Sequence, residues 1–368
     1  MKKFTLLCCL VLALSLLAGC AGTPVIYYTE CTCPVGSHEA VQTPASPAAT
    51  EAPAAAEAPA AEGALKTGLA LVTGISDSKD ATAGEAGEGK YDVTMVAVLV
   101  DDNGVIQDCI IDGVAASVQF DASGAIVSDL TAAPQTKNEL GENYGMVAWG
   151  GAIAEWDAQA AALANYAVGK TVDELKNGAI DETGKAPAGS DLATQATIYL
   201  GGYVSAIEKA VSQALHLGAQ AGDTLKMAAI TGTGSSASAD VENAGNAQLD
   251  VDVTVLTMNG DTITSCVIDS VQAKVAFDAA GVITSPIQDA VKTKNELGSD
   301  YGMVAWAGAV AEWNEQAASF ASYVTGKTAD EVMGIAVDEG TKPTEADLAT
   351  SVTIAIGGFQ ALIQKAAQ

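Results

Sequence analysis

The chain has 368 residues, and it carries 45 Asp and Glu residues against 17 lysines and no arginine, so its net charge at pH 7 is −28. Nucleic-acid binding needs a basic surface for the phosphates, and this composition excludes that class of partner. Without arginine there are also no guanidinium groups to hold anionic ligands. Backbone amides at a helix N-terminus can still bind a phosphate.

The first twenty residues have the pattern of a bacterial lipoprotein signal. A pair of lysines precedes an apolar run over 4–17, which is too short for a transmembrane helix. The run ends in small residues followed directly by Cys20. We predict a signal peptide over 1–19, a lipid on Cys20, and a protein anchored by that lipid outside the bacterial cell membrane. The alternative is an ordinary cleaved signal with a coincidental cysteine.

Residues 20–64 are predicted to be a lipidated N-terminus followed by a linker rich in Pro, Ala and Glu. Such a composition buries too little apolar surface to offset the entropy of ordering, so we expect an extended spacer. Cys31 and Cys33 lie here, near His38. A local disulfide, free thiols and a metal site all stay open, although the spacing is not a known zinc pattern.

The remainder of the chain is a duplication. Of the 39 positions in Thr136–Glu174, 27 are identical in Thr293–Glu331 without a gap. We predict two tandem copies of one domain, over 65–217 and 224–368, each long enough to have a core of its own.

Within each copy the pattern changes from strands to helices. In the first copy, β-branched residues and an Asp-Asn-Gly turn predict a hairpin over 91–112, and a second turn follows Phe120. Helices are predicted over 149–168, after the Thr-x-x-Glu capping boxes at Thr171 and Thr328, and over 191–215 and 347–367. The fold class is therefore α+β, with two tandem copies that each have an antiparallel sheet followed by helices.

The sequence does not predict a hydrolytic active site. His38 and His216 are the only histidines, and neither occurs in both copies, which disfavours a shared Ser-His-Asp or Cys-His mechanism. The repeated acids could act in acid–base chemistry, but surface charge or local hydrogen bonding is the favoured interpretation. They are Glu139, Glu296, Glu155 and Glu312. Cys109 and Cys266 are predicted to be buried apolar residues.

The most specific motif lies near the end of each copy. Asp191-Leu-Ala-Thr194-Gln-Ala-Thr197 is matched by Asp347-Leu-Ala-Thr350-Ser-Val-Thr353, and a Gly-Gly pair follows each. This motif resembles the end of the FMN-binding domain family. That family includes the flavin subunits of sodium-pumping NADH–quinone oxidoreductases and surface flavin lipoproteins of Gram-positive bacteria. Its pattern has glycine where this chain has Gln195 and Ser351.

The resemblance implies a cofactor and a function. Thr197 and Thr353 would carry FMN, esterified through its phosphate by a flavin transferase. Asp191, Asp347, Thr194 and Thr350 would be the flanking motif positions. The protein would be a membrane-anchored, extracytoplasmic electron carrier that accepts electrons from a membrane redox donor, more than a substrate-converting enzyme.

Two alternatives remain open at this point. The two aspartates could simply cap helices, with the threonines as ordinary first-turn residues, and the protein could be a redox-silent surface lipoprotein whose tandem domains bind a ligand or a partner. The repeated aromatic residues could stack on a flavin, but at helical spacing they are more typical of a core. They are Tyr144, Tyr301, Trp149, Trp306, Trp156 and Trp313.

Overall fold

The computed structural model describes residues 63–368. The predicted signal peptide, the lipid on Cys20, the Cys31 and Cys33 pair and nearly all of the linker lie outside the described residues. Within 63–368, no helix has the length and apolar character that a membrane span requires.

Each copy has three strands followed by helices of unequal length. The first copy contains β1 (Lys66–Gly74), β2 (Gly87–Val100), β3 (Ile106–Phe120), α1 (Lys137–Leu140), α2 (Met146–Gly150), α3 (Trp156–Ala167), α4 (Val172–Ala179) and α5 (Gly201–Ser212). The second contains β4 (Thr224–Gly232), β5 (Gly245–Asn259), β6 (Thr262–Phe277), α6 (Lys294–Leu297), α7 (Met303–Ala307), α8 (Trp313–Val324), α9 (Ala329–Met333), α10 (Ala346–Ala349) and α11 (Gly357–Ala366). Single 3-10 turns cover Gly141–Tyr144, Leu192–Thr194 and Gly298–Tyr301.

The strands form two three-stranded antiparallel sheets, in the orders β1-β2-β3 and β4-β5-β6. The predicted fold class is confirmed at this level, since each sheet is followed by helices. The hairpin strands are longer than predicted, and the first strand of each sheet was not predicted. In β1 the strand pattern is weakened by Gly68. This glycine is needed because the α5 backbone passes close by, and a Cβ there would lie 2.2 Å from the Ala210 carbonyl oxygen.

The two sheets pack face to face, with helices on their outer faces. In β2, the side chains of Val93, Met95 and Ala97 point to the other sheet, whereas Val96 and Val98 pack under the helices. The second copy repeats this alternation with its own helices. Residues 63–368 therefore have one core shared by both copies and one further core under the helices of each.

Contacts between the copies come in equivalent pairs. Phe120 and Phe277 stack on each other with ring centroids 3.9 Å apart and planes 4° from parallel. The Ala81 N–H donates to the Gly281 carbonyl at 2.8 Å, and the Ala239 N–H donates to the Gly124 carbonyl at 2.7 Å. Reciprocal contacts of this kind are those of an isologous dimer, here formed within one chain.

The repeated Thr-Lys-Asn-Glu-Leu segment takes part in this pairing. Its threonine and glutamate form a capping box on α1 and α6. Glu296 then bonds Lys209 of the first copy at 2.6 Å, and Glu139 bonds Lys365 of the second. Both lysines also donate to strand carbonyls of their own copy at 2.7 Å. The segment is therefore a contact between copies.

Three of the predicted helices differ from those in the structure. The closing helices begin at Gly201 and Gly357, about a helical turn beyond the threonine motif, and not at Asp191 and Asp347. The helix predicted from residue 149 is interrupted because Gly151 adopts a left-handed conformation with φ 61°, which ends α2 before α3 starts at Trp156.

Candidate functional site

The threonine of each motif lies between a short helical turn and the closing helix. In the first copy, the N–H groups of Thr197 and Ile198 both donate to Gln159 Oε1, at 2.8 and 3.2 Å. In the second copy, Thr353 and Ile354 donate to Gln316 Oε1 at the same two distances. The backbone at both threonines is thus fixed by a glutamine from the preceding long helix.

Each glutamine also holds a second segment. Gln159 Nε2 donates to the Ala154 carbonyl at 2.8 Å, and Gln316 Nε2 donates to the Ala311 carbonyl at 2.8 Å. Both side chains are fully buried. Sequence reasoning missed these residues, although each recurs three positions after a repeated tryptophan. Together with the threonine segments they form what we call the glutamine clamp.

The hydroxyl groups of the two threonines make only long hydrogen bonds to these glutamines. Thr197 Oγ1 lies 3.3 Å from Gln159 Oε1 and Thr353 Oγ1 lies 3.2 Å from Gln316 Oε1, which are long hydrogen bonds. Thr197 is exposed and Thr353 is half-buried. The fold therefore holds the backbone firmly and leaves the hydroxyl available to react.

The flanking motif residues do not converge on this hydroxyl. Thr194 Oγ1 donates to the Asp191 carbonyl at 2.7 Å, and Thr350 ends α10. The Asp191 side chain makes no capping bond, and Asp347 lies within α10, whose N-cap is Glu345. Asp191 occupies the N-cap position of the 3-10 turn without a side-chain bond, and neither aspartate caps a closing helix, because those helices start further on. All four motif residues are exposed.

The start of each closing helix is open. A Cβ added at Gly202 or Gly358 would meet no atom within 4 Å, so a ligand could approach this turn. The helix dipole favours an anion at such a position. Some of the first amides are already bonded, since Leu200 and Gly201 donate to the Gly184 carbonyl and Ile356 donates to the Thr341 carbonyl. The copies differ here, because the exposed Tyr199 ring lies against Gly201 in the first copy, where the second has Ala355. The exposed hydroxyl and the open helix start fit an FMN phosphate ester.

The repeated aromatic residues separate into buried and exposed classes. Trp156 and Trp313 are buried in the helix-covered cores, as the favoured interpretation predicted. Tyr144 and Tyr301 are half-buried beside them. Trp149 and Trp306, by contrast, are 90% and 91% exposed. Only this last pair could offer an aromatic face to a ligand without rearrangement of the core.

The repeated acids have local structural roles. Glu155 accepts the N–H groups of Met146 and Val147 at 2.7 and 3.0 Å, and Glu312 accepts those of Met303 and Val304 at 2.8 and 3.1 Å. These bonds satisfy the first amides of α2 and α7. Local hydrogen bonding is therefore confirmed for them.

A half-buried lysine and a buried aspartate lie beside the capped α6 turn. Lys294 Nζ is 4.7 Å from the centre of the Trp313 ring, and burial lowers the pKa of Lys294. Asp269 Oδ1 accepts the N–H groups of Ser270 and Asn295. Burial nevertheless raises the pKa of Asp269 to about 6, against the lowering effect of these hydrogen bonds.

This shift predicts a pH-dependent stability that Asp269→Asn should remove. Because the folded-state pKa lies above the ordinary value of 3.8, ionisation of Asp269 costs stability as the pH rises from about 4 to about 6. We expect the stability of Asp269→Asn relative to wild type to increase by about 2 kcal/mol over that interval. Urea unfolding at several pH values measures this. Asp112→Asn, at the half-buried equivalent site, is the control and should show a smaller change. Parallel pH profiles for wild type and Asp269→Asn would contradict the prediction.

A cleft of about 1210 Å³ lies between the copies, beside α8. Its walls come from β6, α6, α8 and the connection between α5 and β4, including His216. His216 is itself buried and bonds Asp102 Oδ1 at 2.9 Å, which fixes the connection to the β2–β3 turn. Asp269, Glu296 and Glu315 give the cleft an acidic lining.

The two cysteines in the described residues are free and buried, as predicted. Burial raises the pKa of Cys266 to about 12 and that of Cys109 further still, so neither thiol is ionised near neutral pH.

Comparison of the whole chain with protein-family models, with curated proteins and with solved structures gave no match.

Proposed function

We propose that this protein is an extracytoplasmic flavoprotein, anchored through a lipid on Cys20, that carries FMN on Thr197 and Thr353 for electron transfer. The observation that carries the proposal is the glutamine clamp. In both copies a fully buried glutamine fixes the backbone of the motif threonine, four residues before the closing helix, and makes only a long hydrogen bond to its hydroxyl. Thr197 is exposed and Thr353 is half-buried.

The residues around this threonine suit a phosphate ester. Thr Oγ1 would attack the FMN phosphorus of an activated flavin nucleotide, a phosphoric anhydride held by a transferase. The anhydride P–O bond would break, the second phosphate group would leave, and a base of the transferase would take the hydroxyl proton. The helix dipole would stabilise the remaining negative charge without any arginine. The bound flavin would supply the redox chemistry, and the chain would supply position and environment. Electrons would come from a membrane redox donor beside the lipid anchor.

Intact-protein mass spectrometry tests the proposal. The full chain is co-expressed with a flavin transferase, and we expect up to one FMN adduct per copy and a yellow protein. Thr197→Ala and Thr353→Ala should each remove the adduct from their own copy. Because Thr197 is the more exposed hydroxyl, its adduct should form to the greater extent.

Thr183→Ala is the matched control. Thr183 is an exposed threonine in the same copy, and its hydroxyl is bonded to Asp181 at 2.6 Å. This variant should retain both adducts. A wild-type protein with no flavin mass on peptides that contain Thr197 or Thr353 would overturn covalent attachment.

A second candidate function is a redox-silent surface lipoprotein that binds a small ligand. The cleft beside α8 favours it, because its volume is sufficient for a small molecule and polar and acidic side chains line it. This candidate predicts a colourless protein. It also predicts that a substitution in the cleft wall, Ser322→Trp, abolishes ligand binding while Thr197→Ala leaves it unchanged.

A further inference from the structure

The exposed tryptophans lie on two equivalent segments of unusual composition. Residues 146–154 and 303–311 contain no charged side chain, although the chain as a whole carries 45 acidic residues. Val147, Trp149 and Ile153 are exposed in the first segment, and Val304, Trp306 and Val310 are exposed in the second. We call these the tryptophan segments. Each places a large apolar surface in water, at a cost that only a bound group would recover.

The tryptophan segments are held in place from both ends. The carboxylates of Glu155 and Glu312 bond their first amides, as described above. The Ala152 N–H returns to the Met146 carbonyl at 3.1 Å, and Ala309 does the same to Met303 at 3.2 Å. The indole of Trp149 lies against Gly145, where a Cβ would be 2.4 Å from the ring. The indole therefore has a defined position before any ligand arrives.

The glutamine clamp joins each tryptophan segment to the threonine of the same copy. One side chain, that of Gln159, bonds Ala154 at the end of the first segment and Thr197 in the motif. Gln316 connects Ala311 and Thr353 in the same way. Gln159 and Gln316 thus connect the end of each tryptophan segment to the backbone of the motif threonine in the same copy.

We propose that Trp149 and Trp306 are the stacking surfaces for the flavin ring attached to the threonine of the same copy; this inference rests on the proposed function. The planar, aromatic face of an isoalloxazine ring matches an exposed indole on an uncharged segment. The ribityl chain between phosphate and ring has the rotational freedom to reach it. The choice of Trp149 over Trp156 follows from burial, since Trp156 is 3% exposed.

The test measures flavin fluorescence per bound FMN in full-length protein co-expressed with the transferase. Stacking on an indole quenches flavin emission. In a Thr353→Ala background, which restricts flavin to Thr197, Trp149→Ala should raise emission about two- to tenfold, the ratio of stacked to unstacked populations that aromatic stacking supports. Trp306→Ala in the same background is the control and should change nothing. A Thr197→Ala background should reverse the roles of the two tryptophans.

The outcomes separate this inference from the proposed function. Flavin attached to Thr197 with equal emission from wild type and Trp149→Ala would overturn the stacking role and leave the flavoprotein assignment standing. Absence of any FMN adduct in wild type would overturn both. Trp149→Phe, which keeps an aromatic face, should stay close to wild type. Since the indole is almost wholly exposed, its removal should not affect folding.

Discussion

Phe120→Ala is expected to destabilise the protein by about 3 to 5 kcal/mol. The Phe120 ring is fully buried, stacked on Phe277 at 3.9 Å and packed flat against Gly87, where a Cβ would lie 2.4 Å from the ring. Removal of the ring leaves a cavity at the centre of the core that both sheets share. Chemical denaturation followed by circular dichroism gives the free energy of unfolding. Because both copies contribute to this core, we expect one transition in which both unfold together.

A double-mutant cycle makes this prediction specific. Phe277→Ala should cost about as much as Phe120→Ala, and the double variant should cost less than the sum by about 1 kcal/mol, because the two rings are in contact. Phe320 is the matched control, since it is also fully buried but lies in the helix-covered core of the second copy. Phe120→Ala and Phe320→Ala should therefore be additive. Two separate unfolding transitions in the Phe120→Ala variant would contradict a shared core.

Gln159→Leu is expected to cost about 1 to 3 kcal/mol, because partly buried backbone groups lose a hydrogen-bond partner that water replaces only in part. Leucine has a similar volume, so the loss is of hydrogen bonds and not of packing. The groups left without partners are the N–H groups of Thr197 and Ile198 and the carbonyl of Ala154. The threonine segment should also become mobile, which native-state hydrogen exchange at the Thr197 and Ile198 amides measures.

Gln195→Leu is the control for this prediction. Gln195 lies in the same segment but is exposed, and its only side-chain contact is a long bond of 3.4 Å to the Asp191 carbonyl. We expect less than about 0.5 kcal/mol from that change. Gln316→Leu should reproduce the effect of Gln159→Leu in the second copy. Unchanged exchange at Thr197 in Gln159→Leu would show that the clamp does not fix the segment.

The fold class could be predicted because its signals are local. β-branched residues on either side of Asp-Asn-Gly indicate a hairpin, and Thr171 with Glu174 forms the capping box that its spacing predicts. The same spacing occurs in Thr136 and Glu139, and the rule could have found that cap as well. The packing of the two sheets can also be read from the sequence, since the run from Met95 to Val100 is apolar on both faces of β2.

The site could be predicted less well because its determinants are distant in sequence. Gln159 is 38 residues from Thr197, and a single buried glutamine in a helix has no periodicity to reveal its partner. The ion pair between Lys209 of the first copy and Glu296 of the second likewise depends on tertiary packing. The exposure of Trp149 was not predictable, because the sequence suggests a continuous helix where Gly151 breaks it.

The shared core also bears on how the two copies can differ. A dimer of separate chains must use one sequence for both halves, and its stability depends on protein concentration. Here the short connection from Ser212 to Thr224 makes the pairing intramolecular, with a high effective concentration at any dilution. Each half can then accumulate its own substitutions, as Tyr199 and Ala355 show beside the two closing helices. One polypeptide thus keeps the symmetry of a dimer while its two sites become chemically unequal.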